Sequence, residues 1–295
     1  GNVVVAPDYI GMNGFGPSST LLHPYMVAEP AAVGTLDAIR ASWSLLSELD
    51  TDAQPTRDTI LFGGSEGGFT ALWSERYAPW YLPSANVKGV VASVPPTDLV
   101  HLSAIGATEL QATSLALAAA LTSYHDWYGW QTPLDTVLTD TEPNRLASRL
   151  YELMDGQCDV NGDIEDPASV DEVYTEAFRD AAAAGTLADF GDWGCALEAN
   201  SLVSAPFERI SDSPVYYVIS GDDTLVDSRT NRDDVPVLCE QGYQVEAIEC
   251  EGASHSGGAI ASLHLQWRWA AARLADEPIT TECGLAAPID CEAAE

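Results

Sequence analysis

The stretch "TILFGGSEGG", residues 59–68, sets the tightest limit on what this chain can fold into. Four glycines in six positions surround Ser65, directly after an apolar run. A glycine inside a strand or helix costs roughly 0.5–1 kcal/mol relative to alanine. A cluster of them therefore marks a bend that side chains would block. The run before it is β-branched and apolar, and Phe69, Leu72 and Trp73 after it start a helix that ends near Pro79. In that strand–turn–helix setting, Gly63-x-Ser65-x-Gly67 lifts a serine hydroxyl above the end of a sheet.

The same alternation runs through much of the chain. Residues 3–6, 59–62 and 87–94 read as short buried strands. Val33, Leu36, Ile39, Trp43 and Leu46 recur at helical spacing between residues 30 and 49. After residue 206 come the strand "PVYYVISG", a helix near 231–241, the strand "YQVEAIEC" and one long helix, "GAIASLHLQWRWAAARLA". Such alternation implies α/β architecture, a mostly parallel sheet with helices on both faces. Residues 97–206 carry few strand signals and include the helical pattern "SVDEVYTEAFRDAAAAG". That block is too long for a loop and reads as an inserted helical cap. The expected organisation is a core from 1–96 and 207–278, a cap (lid) at 97–206, and a cysteine-tied tail at 279–295. No uncharged apolar run reaches the length of a membrane span.

A serine hydroxyl is a weak nucleophile at neutral pH and needs a base beside it. On a sheet of this kind the chain order is serine, then an acid, then histidine. "VYYVISGDDTLVD" offers Asp222, Asp223 and Asp227 after a late strand, and "ECEGASHSGGA" puts His255 in the loop after the last strand. Asp223, just before Thr224-Leu225-Val226, is the preferred acid, and Asp222 is the alternative. His255 would take the Ser65 proton while the acid orients the imidazole. His23, His101, His125 and His264 read as structural. A developing oxyanion needs two N–H donors. The backbone of Glu66 is one, and the "PDYIG" loop offers the other. The Glu66 carboxylate either repels anionic substrates or points away.

Other chemistries find little support. The chain holds 45 acidic against 12 basic residues, a net charge of −33, and Lys88 is its only lysine. Phosphate binding needs clustered bases, so nucleic acid is not an expected partner. The same charge favours solubility and fits salty surroundings. "CDVNGDIEDPASV" alternates Asp159, Asn161 and Asp163, but Ile164 and Val170 stand where a calcium loop needs glycine and glutamate. HExxH and GxxxxGK[ST] are absent, and "GMNGFG" does not match a dinucleotide fingerprint. No metal or cofactor is expected. Six cysteines without CxxC favour disulfides, hence a secreted or periplasmic setting. Neighbour pairing is the simplest expectation: Cys158 with Cys195, Cys239 with Cys250, and Cys283 with Cys291.

"VVVAPDYIGMNGFG", "HPYMVAEPAAVGTLDAIRA" and "GGSEGG" resemble the secretory lipase family, the fungal lipase A type and its bacterial relatives. "VPPTDL", "SGDDTLVD" and "GASHSGGA" resemble further family segments. The resemblance implies an α/β-hydrolase, an esterase or lipase with a Ser–Asp–His triad under a helical cap. By position it makes Ser65 the nucleophile, Asp223 the acid and His255 the base. It also implies the backbone N–H of Asp8, in Asp-Tyr-x-Gly, as the second oxyanion donor. Relatives carry further strands before "VVVAPDY", so the expectation is an N-terminal segment, missing or separately cleaved, that completes the sheet and covers its edge. The expected substrate is a neutral, apolar acyl ester, and Tyr124, Trp127, Tyr128, Trp130 and Leu134 are cap candidates for its pocket. Aromatics at that spacing are more commonly cap core. An acyltransferase, or an esterase for aromatic or polymeric esters, would share the triad. A non-catalytic binding protein would share only the fold.

Overall fold

The computed structural model describes residues 1–12, 19, 21–49, 55–154 and 164–294. Cys158 and the Asp159, Asn161 and Asp163 pattern lie outside them, as does most of "GMNGFG".

Among the described residues, five parallel strands form one sheet: β1 (Asp58–Gly64), β2 (Asn86–Ser93), β3 (Val215–Ser220), β4 (Val245–Cys250) and the short β5 (Gly284–Leu285). They lie side by side in that order. β3 is buried along its whole length and β2 along its second half, as a parallel sheet covered on both faces requires. Alternate residues serve opposite faces. Val90, Ala92, Val215, Tyr217 and Ile219 join a core with α1 (Ala28–Glu48) and α2 (Glu66–Tyr81). Val91, Tyr216, Val218 and Ile248 point the other way, against Leu265 and Trp269 of the last helix.

Between β2 and β3 every named element is helical: α3 (Leu99–Thr108), α4 (Ala112–Tyr128), α5 (Leu146–Met154), α6 (Glu176–Ala183) and α7 (Gly191–Asn200), with short 3-10 turns between. Leu117 and Leu121 of α4, Phe178 of α6 and Leu197 of α7 belong to the same core as α1 and α2. The helix expected from Ser169 begins later. Val173 and Tyr174 are fully buried, Tyr174 bridges Leu138, and the hydroxyl of Thr175 caps α6 by accepting the N–H of Phe178.

α8 (Ser228–Glu240) follows β3, and α9 (His255–Ala261) and α10 (Leu263–Leu274) follow β4. The expected single long helix is thus two. They meet at Ser262, whose hydroxyl donates to the Gly258 carbonyl and accepts from Gln266. Serine bonding back to its own helix competes with the regular ladder.

A further expectation fails. Residues 3–6 belong to no strand, and Val3, Val4 and Val5 are exposed. A β-branched run becomes a strand only where a neighbour accepts its backbone hydrogen bonds, and no described strand pairs with it. The outer side of β1 likewise has no strand partner among the described residues.

The disulfides also differ. Cys239 pairs with Cys283 and Cys250 with Cys291, at Cα–Cα distances of 5.9 and 5.2 Å. The physical reason lies in β4, which advances about 3.3 Å per residue. Cys239 ends α8 near the start of β4, whereas Cys250 is its last residue. The two are held apart, and the tail runs parallel to β4 and meets each in turn. Cys195 is exposed and bonds no cysteine among the described residues.

Candidate active site

In a parallel sheet all carboxyl ends share one edge, and Ser65, Asp223 and His255 follow β1, β3 and β4 on it. Ser65 has φ 57° and ψ −122°, a conformation that L-residues rarely adopt. Its N–H donates to the Ser93 carbonyl at 2.8 Å, and its carbonyl accepts the first bond of α2 from Phe69. A Cβ on Gly63 would sit 2.0 Å from the Gly67 carbonyl oxygen, so strand and helix pass there only without a side chain. Gly67 itself faces open space; the crowded helix partner is Gly68, against Ser93 and Pro95.

α2 is held so that this turn stays put. Its residues 68–76 are buried without interruption. The buried carboxylate of Glu75 accepts from Arg209 Nη2 at 2.7 Å and Nε at 3.1 Å, and Arg76 donates to Tyr243 and to the Phe207 carbonyl. Breaking a buried pair of this kind costs about 3–5 kcal/mol.

The acid and the imidazole meet. His255 Nδ1 lies 2.7 Å from Asp223 Oδ2, with the aspartate side chain 1% and the histidine side chain 17% exposed. A carboxylate accepts, so Nδ1 carries the hydrogen and Nε2 is left as the acceptor. The other oxygen of Asp223 accepts from the N–H groups of Leu225 and Val226 at 2.9 and 3.0 Å. Its neighbours are used otherwise. Asp222 is exposed, while Asp227 caps α8 and pairs with Arg229 at 2.7 Å. No hydrogen bond joins Ser65 to His255 among the described residues.

Ser65 borders an apolar cavity of about 460 Å³, counting its open mouth. Leu99 and Leu102 of α3, Leu117 and Tyr124 of α4, and Leu225 and Val226 beside Asp223 line it. Of the cap candidates, only Tyr124 reaches the cavity. Tyr128 stacks on Trp130, which meets Trp193 edge-on; Leu134 is core and Trp127 is half-exposed. Tyr25 and Met26 were not singled out from sequence, yet they line the cavity. Met26 has φ 58°, and its carbonyl accepts from the Tyr124 hydroxyl. "HPYM" before a helix gives no sign of this.

Glu66, the first residue of α2, turns its carboxylate to His23, with Oε1 2.7 Å from Nε2. Asp8 is exposed, and the segment that carries it is tied to α2 by the Tyr9 hydroxyl, which donates to Thr70 at 3.0 Å.

The profile of the secretory lipase family matches residues 1–282. The chain belongs to that family. Ester hydrolysis is thereby its class of activity. No curated protein sequence matches it significantly. Among solved structures it is similar to the rice cell wall degrading esterase LipA from Xanthomonas oryzae, at 20% identity and TM-score 0.70, over 92% of this chain and 71% of that one. It is also similar to lipase A from Candida antarctica in its closed state, at 13% identity and TM-score 0.70, over 92% of this chain and 60% of that one. A putative hydrolase from Legionella pneumophila matches at 20% identity and TM-score 0.73, over 94% and 71%. These likenesses establish the α/β-hydrolase fold. Membership of a secretory family and two disulfides suit an extracellular setting. No described helix is long and apolar enough to cross a membrane.

Proposed function

We propose that this secretory lipase cleaves neutral carboxylic esters through an acyl-serine intermediate. Ser65 Oγ attacks the ester carbonyl carbon while His255 Nε2 takes its proton. The carbonyl oxygen becomes an oxyanion, held by the backbone N–H groups of Glu66 and Asp8. Collapse expels the alcohol, which receives the proton from His255. Water then attacks the acyl-serine by the same route and releases the acid. Asp223 keeps Nδ1 protonated and stabilises the imidazolium.

One observation carries this reading. A buried carboxylate, fixed by two backbone N–H groups, holds an imidazole by Nδ1, with no partner for Nε2 among the described residues, at the sheet edge that also bears a strained serine. Contacts between nucleophile and base are commonly long before substrate binds and tighten with it. The cavity beside Ser65 supports an apolar acyl group, because Leu99, Leu102, Leu117 and Val226 offer it no polar partner. A net charge of −33 disfavours anionic esters.

The test is covalent labelling by a fluorophosphonate probe together with turnover of a p-nitrophenyl ester series. Both are expected in the wild type and lost in Ser65→Ala. Labelling that survives Ser65→Ala rejects the assignment.

A further inference from the structure

His23 lies outside the triad, yet its side chain joins the two segments read as oxyanion donors. Its Nδ1 is 3.0 Å from the Ile10 carbonyl, two residues after Asp8, and its Nε2 is 2.7 Å from Glu66, the residue after Ser65. A carbonyl oxygen only accepts, so Nδ1 carries a hydrogen. A neutral ring would then turn a lone pair toward the Glu66 carboxylate. The arrangement therefore calls for imidazolium against carboxylate, both four-fifths buried or nearly so.

The surroundings fix this contact from three sides. Gly11 lies against the His23 backbone so closely that a Cβ there would sit 2.6 Å from the His23 nitrogen, and its φ of +85° suits glycine. The Ser123 hydroxyl of α4 donates to the His23 carbonyl at 2.9 Å. The Tyr9 and Tyr25 rings flank the imidazole, with centroids 5.3 and 6.2 Å away. Glu66 on α2, Tyr9 on the N-terminal segment and Tyr25 on its own segment are the titratable groups described around the ring.

We propose that His23 is a positioning residue: as a cation bonded to both Ile10 and Glu66, it holds the loop at residues 8–11 in register with the turn bearing Ser65. Loss of its proton loosens that brace and lowers turnover. This rests on the reading of Ser65 as nucleophile. Burial works against the cation, and the Glu66 carboxylate outweighs it, so the His23 pKa lies above the ordinary imidazole value. For a raised histidine the bonded state is complete at low pH and is lost as pH rises through the folded pKa. The brace thus predicts an alkaline fall in kcat.

The full-length chain is assayed for p-nitrophenyl butyrate turnover across pH, with thermal unfolding recorded for each variant. His23→Ala and Glu66→Ala are expected to lower kcat about 10- to 100-fold with little change in KM, as a displaced oxyanion donor would. Glu66→Gln is the decisive variant. Its amide can donate to a neutral Nε2 or accept from a charged one, so it should recover most of the kcat lost in Glu66→Ala and flatten the alkaline fall. The proposal is overturned if Glu66→Gln keeps the wild-type alkaline fall, or if both alanine variants keep wild-type kcat while Ser65→Ala is dead. Should His23→Ala not fold, the two Glu66 variants decide. A wild type without Ser65-dependent turnover would sink the hydrolase reading and this proposal together, and is told apart by that control.

Discussion

Two histidine–carboxylate pairs flank the turn at Ser65, and they differ in what the second ring nitrogen meets. His255 reaches Asp223 through Nδ1 at 2.7 Å, and among the described residues no hydrogen bond engages its Nε2. His23 reaches Glu66 through Nε2, also at 2.7 Å, while its Nδ1 is committed to the Ile10 carbonyl. The first ring can exchange a proton without losing its anchor. The second cannot, because each nitrogen faces an acceptor. Distance and residue type are the same in both, so neither distinguishes a proton carrier from a brace. The partner of the far nitrogen does.

The largest effect expected on this contrast comes from the triad side. Ser65→Ala and His255→Ala should each cut kcat about 10⁴- to 10⁶-fold while the fold survives, since such residues act as a unit. Steady-state turnover with circular dichroism as a folding control measures it, and near-full turnover in either variant would erase the contrast. Asp223→Asn should cost about 10⁴-fold, because an amide at that oxygen favours the wrong tautomer. Asp222→Asn, at an exposed carboxylate, should leave kcat near wild type. The reverse ranking would move the acid to Asp222.

The brace comes next, with the smaller losses and the alkaline fall set out above for His23 and Glu66. A milder change tests the cavity beside Ser65. Ala120→Leu on α4 narrows it, and kcat/KM should drop about tenfold for long acyl esters relative to acetate, the scale of one or two methylenes in an apolar pocket. Equal losses for both esters would place the acyl group elsewhere. The smallest effect on turnover belongs to the tail. Joint replacement of Cys239 and Cys283 by serine should lower stability by about 2–4 kcal/mol with kcat little changed. Thermal unfolding measures the first, and peptide mapping tests the pairing itself.

How much of this was legible in the chain depends on how local each cause is. The turn at Ser65 was readable because its reason is local: Gly63 must let α2 pass. The strands at 87–94 and in "PVYYVISG" were readable because a strand buried on both faces is a continuous apolar run. The strand expected at 3–6 failed for the complementary reason, since strand formation needs a partner that the segment does not itself contain. The cysteine pairing failed because it follows the path of the tail beside β4, not separation along the chain. Tyr25 and Met26 escaped notice because their role comes from the cavity they share with α3 and α4, and the pairing of Glu66 with His23 because 43 residues separate them.

The sequence by itself determined the parallel α/β plan, the strained serine between strand and helix, and the order of acid and histidine behind it. Those follow from backbone geometry and from periodicities that short stretches carry within themselves. Only the tertiary structure decided which aspartate meets His255, which cysteines join, and that His23 and Glu66 face each other across the turn. Hydrogen bonds and disulfides act over a few ångströms, and only the packed sheet and helices bring residues so distant in sequence within that reach.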